Sequence, residues 1–159
     1  MANMTRRTAI SASAGAAGLI GLAQAAEPSG NARTSAMDPH IQRYELSPLL
    51  PGIPLISYAV VRRDTVYLSG ITATKPGDVK DQTRQVTARI DELLAKAGSH
   101  KSKLLTAQVW LTDMSLFAAH NDAWNEWVDP KNPPARACLL SPQLWHPGLL
   151  VEIMATAAL

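Results

Sequence analysis

From residue 41 onward the apolar positions follow two periodicities, one of two and one of about three and a half. Residues 41–46 can form a short first strand, and the run LLPGIP at 49–54 then interrupts any ladder with its prolines. In ISYAVVRRDTVYLSG, residues 56–62 and 65–69 read as a hairpin that turns at Arg63-Asp64. Val86, Ile90, Leu93, Leu94 and Ala97 recur at i, i+4, i+7, i+8 and i+11, which predicts an amphipathic helix ended by Gly98. Residues 104–112 form the next strand. Asp113 or Ser115 can cap a second helix with the inner stripe Phe117, His120, Trp124 and Trp127, which stops before Pro130. The last two strands are expected at 135–141 and 149–157.

This order predicts an α+β fold, one mixed β-sheet with both helices on one face. In the last strand Leu149, Val151, Ile153 and Ala155 are expected to face the helices, which leaves Leu150, Glu152 and Met154 on the other side. That second face is still largely apolar, so burial against identical subunits is expected.

Residues 1–25 obey neither periodicity. Arg6 and Arg7 open a stretch that is uncharged from Thr8 to Ala26, rich in Ala, Gly and Ser, and closed by Ala23-Gln24-Ala25. Paired arginines, a mildly apolar core and a small-x-small end read as a twin-arginine export signal, which implies a periplasmic or secreted protein. Two alternatives stand beside it. A stretch this rich in Gly and Ala would make a weak membrane anchor, and translation from Met37 would give a cytoplasmic form. Residues 26–40 read as a flexible tether, and 41–159 as the folded domain.

The 159 residues carry a formal charge of +2, but Arg6 and Arg7 belong to the leader; the rest sets 13 of the 15 basic residues against all 13 acidic ones. A neutral domain lacks the electrostatic footprint of a nucleic-acid binder. The single cysteine, Cys138, excludes an internal disulfide, and the scattered histidines (His40, His100, His120, His146) offer no i, i+4 metal pair. No cofactor or metal is therefore expected.

Two charges interrupt apolar strands. In PPARACLL, alternation puts Arg136 on the side of Cys138 and Leu140, and Glu152 lies within LLVEIMATA. A guanidinium cannot shed its proton, so a buried one needs an anionic partner. If the two strands are neighbours, both charges lie on the oligomer-facing side. Arg136 and Glu152 then form either a structural ion pair or part of a site that receives an anion from outside.

The segments YLSG, QTRQV with LLAKAG, LTDMSLFAAHNDAWNEW, PPARACL and LVEI, in this order, resemble the reactive intermediate deaminase (Rid, or YjgF) family from about Pro48 to Ala157. The resemblance implies a chorismate-mutase-like α+β fold and a homotrimer with sites in the clefts between subunits. It also implies hydrolysis of small 2-imino acids to 2-keto acids and ammonia. The family's carboxylate-binding arginine falls on Arg136 and its water-orienting glutamate on Glu152. Tyr58, Ser69, Gly70, Asn121 and Cys138 fall on its substrate-binding positions. A guanidinium fork grips a planar carboxylate with two parallel hydrogen bonds, and the iminium carbon is already electrophilic, so placing one water remains the task.

Each of these residues also has a plainer reading. Cys138 can be a small buried residue, Tyr58 a strand aromatic, Asn121 a loop cap and Ser69 a turn former, with His120 and Trp124 in the core stripe. The chain departs from the family pattern at Ile71, Arg89 and Met154, and these positions bear on substrate identity. The competing functions are a non-catalytic trimeric module that binds small carboxylates or acts as a chaperone, and RNA cleavage. A mere carboxylate binder would not need Glu152, and neutral charge speaks against RNA.

Overall fold

The computed structural model describes residues 38–159. The export signal expected at 1–25, and all but the last three residues of the tether at 26–40, lie outside the described residues. Those three form a turn in which the Asp38 carboxylate accepts from the His40 N–H and the Asp38 carbonyl from the Ile41 N–H.

The elements are β1 (Ile41–Leu46), β2 (Ser57–Arg62), β3 (Thr65–Leu68), β4 (Ile71–Thr72), α1 (Val79–Lys96), β5 (Leu104–Leu111), α2 (Phe117–Trp127), β6 (Ala135–Leu140) and β7 (Val151–Ala158). They form one seven-stranded sheet in the order β1-β2-β3-β7-β5-β6, with β4 pairing further along β7. Strands β5 and β6 run parallel, and the other pairs antiparallel. The last strand thus enters between β3 and β5, which α1 connects in a split crossover, and α2 carries the chain from β5 to β6.

Local chemistry sets the boundaries. The β2–β3 hairpin closes on Arg63, whose φ of 57° is left-handed. Asp78 caps α1 by accepting from the Asp81 N–H at 2.9 Å. At the other end Gly98 takes φ 83°, and its own N–H and that of Ser99 reach back to the carbonyls of Ala95 and Leu94. That is the double bond pattern that seals a helix with a left-handed glycine. Asp113 caps a short 3₁₀ turn, Met114–Leu116, rather than α2 itself.

Val86, Ile90, Leu93 and Leu94 of α1 are fully buried against Val109, Leu111, Val151, Ile153 and Ala157, which is the helix-covered face expected from the pattern. Phe117 is the exception in α2, 40% exposed where an inner position was expected. At 100° per residue it lies about 70° from the centre of the arc that His120, Ala123, Trp124 and Trp127 define, at the margin of the buried stripe. The uncovered face carries Tyr67, Trp110, Leu139 and Met154, with Tyr67 47% and Leu139 48% exposed. Leu149 and Leu150 lie outside β7, because the Leu150 N–H is captured by the Gln82 side chain at 2.9 Å.

Gln82 is a buried clamp. Its amide nitrogen donates to the carbonyls of Gly77 at 3.1 Å and Gly148 at 2.8 Å while its oxygen holds Leu150, so one side chain fixes the approach to β7. Gln82→Leu would strand these backbone groups, and is expected to lower the unfolding free energy by roughly 3 kcal/mol in a denaturant titration.

Candidate functional site

Arg136 lies on β6, an edge strand, and its side chain turns under α2. Nη2 donates to His120 Nε2 at 2.7 Å, and Cζ lies 4.9 Å from the centre of the Trp124 ring, a cation–π contact. Its Nε is buried without a hydrogen-bond partner. Among the described residues it forms no ion pair. Beside it on the same face is Cys138, whose thiol is pushed up by burial, with the Arg136 charge acting in the opposite direction. Asn121 follows His120 on α2, and its Oδ1 is likewise buried and unpartnered.

Glu152 sits on β7 opposite Thr72 of β4. Its carboxylate lies against Gly70, where a Cβ would overlap Oε1 and come within 2.9 Å of Cδ, so this position of the carboxylate depends on the glycine. Burial pushes the Glu152 carboxyl above its ordinary value. Ser69, with a buried and unpartnered Oγ, is tied through its N–H to the Tyr58 carbonyl at 3.1 Å. The Tyr58 ring lies under the Arg89 guanidinium at 5.7 Å, and Arg89 in turn is bound to Glu45 of β1 and to Glu92. The arginine that departs from the family pattern therefore pins the first strand to α1. It also holds Glu45 below its usual range.

The condition for a structural ion pair between Arg136 and Glu152, that their strands be neighbours, is not met within the chain. Strand β5 separates β6 from β7. Trp110 pairs with Glu152, whereas Ala107 pairs with Arg136 and with Ala155, so the two charges occupy opposite faces of the sheet. Ser69, Gly70 and Glu152 come together at one place. Arg136 and Cys138, with His120 and Trp124 on the overlying helix, form a second group, and Asn121 follows His120 on α2. The intrachain ion pair is thereby ruled out, and Arg136 faces the helices rather than the open side.

Sequence reasoning assigned His120 and Trp124 only to the core; they also supply the acceptor and the π-face for Arg136. Trp145 was missed altogether. Though 70% exposed, it is tethered by its Nε1–H to Thr72 Oγ1 at 3.2 Å, next to Glu152. Its only signal was a tryptophan inside a proline-flanked loop. Among the described residues no group of three His, Cys, Asp or Glu could hold a metal ion, and no helix is long and apolar enough to cross a membrane.

Fold and site geometry define a single-sheet α+β domain whose two candidate half-sites sit on opposite faces. The family described as endoribonuclease L-PSP matches residues 53–159. A RutC family protein of Haemophilus influenzae is 49% identical over 77 residues, covering 48% of this chain and 66% of the relative's length. The RutC family protein YoaB of Escherichia coli K12 is 38% identical over 102 residues, covering 64% of this chain and 89% of YoaB. The crystal structure of NMB1025, a YjgF family member from Neisseria meningitidis, superposes with a TM-score of 0.68 at 35% identity, covering 74% of this chain and 93% of that one. The chain belongs to the Rid/YjgF family, whose members are also described as RutC and endoribonuclease L-PSP proteins.

Burial, together with the adjacent Arg136 charge, pulls the His120 imidazole down from 6.5 to about 4. The unfolded chain takes up this proton near pH 6.5 while the folded protein refuses it until about 4, so the stability due to neutral His120 is complete above pH 6.5. It declines by roughly 3 kcal/mol as the pH falls through that window. Denaturant titrations at pH 7 and pH 4.5 are expected to show this loss in the wild type and its absence in His120→Gln. Equal slopes for the two proteins would refute it.

Proposed function

We propose that the protein hydrolyses small 2-imino acids to 2-keto acids and ammonia at sites completed between copies of the chain. The observation that carries this reading is Arg136: a half-buried, permanent cation with an orphaned Nε and no acidic partner among the described residues. Desolvating such a charge without a partner is costly, and a ligand carboxylate is the complementary group. Glu152 supplies the other requirement. Raised by burial, it is a better proton acceptor than an exposed glutamate, suited to orient a water toward the iminium carbon. The water oxygen bonds to C2 as one of its protons passes to Glu152 and the C=N electron pair moves to nitrogen. Glu152 then returns that proton to the nitrogen of the carbinolamine, the C–N bond breaks to expel ammonia, and loss of the hydroxyl proton, which the ammonia takes up, leaves the keto acid.

Because Arg136 and Glu152 lie on opposite faces of one sheet, they can serve one substrate only if they come from different copies. The exposed Tyr67, Leu139 and Met154 give the open face the apolar character such an assembly needs. A homotrimer, expected for the family, is the proposed assembly. The family's description as an endoribonuclease supplies a competing reading. The balance of 13 basic and 13 acidic residues beyond the leader leaves no net attraction for an RNA backbone.

The test is ammonia release from 2-imino acids generated in situ by an amino-acid oxidase. Arg136→Ala is expected to lower kcat/KM by two orders of magnitude or more while the protein still sediments as a trimer. Arg136→Lys should recover little, since an ammonium cannot form the two-pronged grip. In Glu152→Gln, retained carboxylate binding with lost turnover would separate the enzyme from a mere binding module. Full activity in Arg136→Ala would end the proposal.

A further inference from the structure

We infer that His120 is the positioning residue of the carboxylate grip, holding the Arg136 guanidinium by one edge without neutralising it. The inference rests on the deaminase reading above and adds to it a residue outside the motif positions carried over from the family. A guanidinium N–H can only donate, so at 2.7 Å His120 Nε2 must be the unprotonated, accepting nitrogen. The ring proton is then on Nδ1, which lies 2.9 Å from Thr83 Oγ1, and Thr83 donates in turn to the Val79 carbonyl at 2.6 Å. Every link in this chain has one permitted direction. Its far end is a helix backbone, and His120 and Thr83 are both fully buried, so the imidazole cannot turn. Trp124, one turn along α2, places its ring under the same guanidinium at 4.9 Å.

A neutral acceptor matters here more than a strong one. An aspartate or glutamate in its place would bind Arg136 more tightly, and a substrate carboxylate would then have to compete with a resident anion for the same cation. With His120 the arginine is oriented but its charge is uncompensated, and its buried Nε has no partner among the described residues. An arginine held in this way keeps its orienting contact before substrate arrives, which reduces the ordering cost of binding.

Binding of 2-oxobutanoate, a small 2-keto acid, followed by calorimetry on the wild-type oligomer and three variants tests this. His120→Leu keeps most of the volume and removes the acceptor, and His120→Glu introduces the competing charge; each is expected to weaken binding tenfold or more. His120→Gln retains an acceptor and should stay within threefold of the wild type. In turnover assays the losses should appear mainly in KM, with kcat changed much less. Wild-type affinity in His120→Leu, alongside loss of binding in Arg136→Ala, would overturn the inference and leave the deaminase site intact. Wild-type affinity in Arg136→Ala would overturn the grip, and this inference with it. Should His120→Leu fail to fold, nitrogen NMR of the wild-type histidines decides: one imidazole must carry its proton on Nδ1 and stay neutral at pH 5. A buried histidine protonated on Nε2 would refute the assignment.

Discussion

Strand β5 lies between β6 and β7, and side chains along a strand alternate; from these two facts the rest of the architecture follows. The pairing of Ala107 with Arg136 and of Trp110 with Glu152 sends a cation to one face of the sheet and an acid to the other. A one-residue slip of β6 would reverse the placement of Arg136, and that slip is resisted because Cys138 and Val109 share the buried face. The helices close the side that holds Arg136. The side that holds Glu152 stays open and apolar. Neither charge finds an opposite charge among the described residues, and because they occupy opposite faces, joint action of the two at one substrate requires a second copy.

The strands and helices were legible because their signals are local. The hairpin at Arg63-Asp64, the helix stop at Gly98 and the five longest strands all fall where periodicity and turn chemistry place them, within about two residues. What escaped depends on contacts distant in sequence. The two-residue β4 has too few positions to show a period, and it exists because Ile71 pairs with Ile153. Leu149 and Leu150 read as strand but serve as loop, because Gln82, 68 residues away, takes the Leu150 N–H. Phe117 carried the apolar signal of the stripe without its angle.

The same division applies to the site. The residue types were visible in the motifs, and Arg136 and Glu152 stood out as charges inside apolar strands. Their relation was not visible, since alternation within each strand does not say which strand separates them. The role of His120 was hidden for a different reason. A histidine in a helical stripe beside Trp124 reads as core, and it is core; what the sequence does not show is that a third element, β6, delivers an arginine to the one nitrogen facing it. Arg89 is similar. It stood out as a departure bearing on substrate identity, and it is also a brace between Glu45 and α1 that covers Tyr58.

In the proposed reaction the separation of charges has a consequence for turnover. A protonated 2-imino acid carries a carboxylate and an iminium, so it presents one charge to Arg136 and the opposite one to Glu152. The keto acid formed from it keeps only the carboxylate. Substrate is thus matched at both ends of a site built from two copies, and product at one end. The desolvation that raises Glu152 strengthens its attraction for the cationic end of the substrate and gives nothing to the neutral ketone. Gly70 enters here, because a Cβ at that position would overlap the carboxylate and force it to move. Had Arg136 and Glu152 been paired within one chain, each would have satisfied the other, and neither would have been free to distinguish an imine from its product.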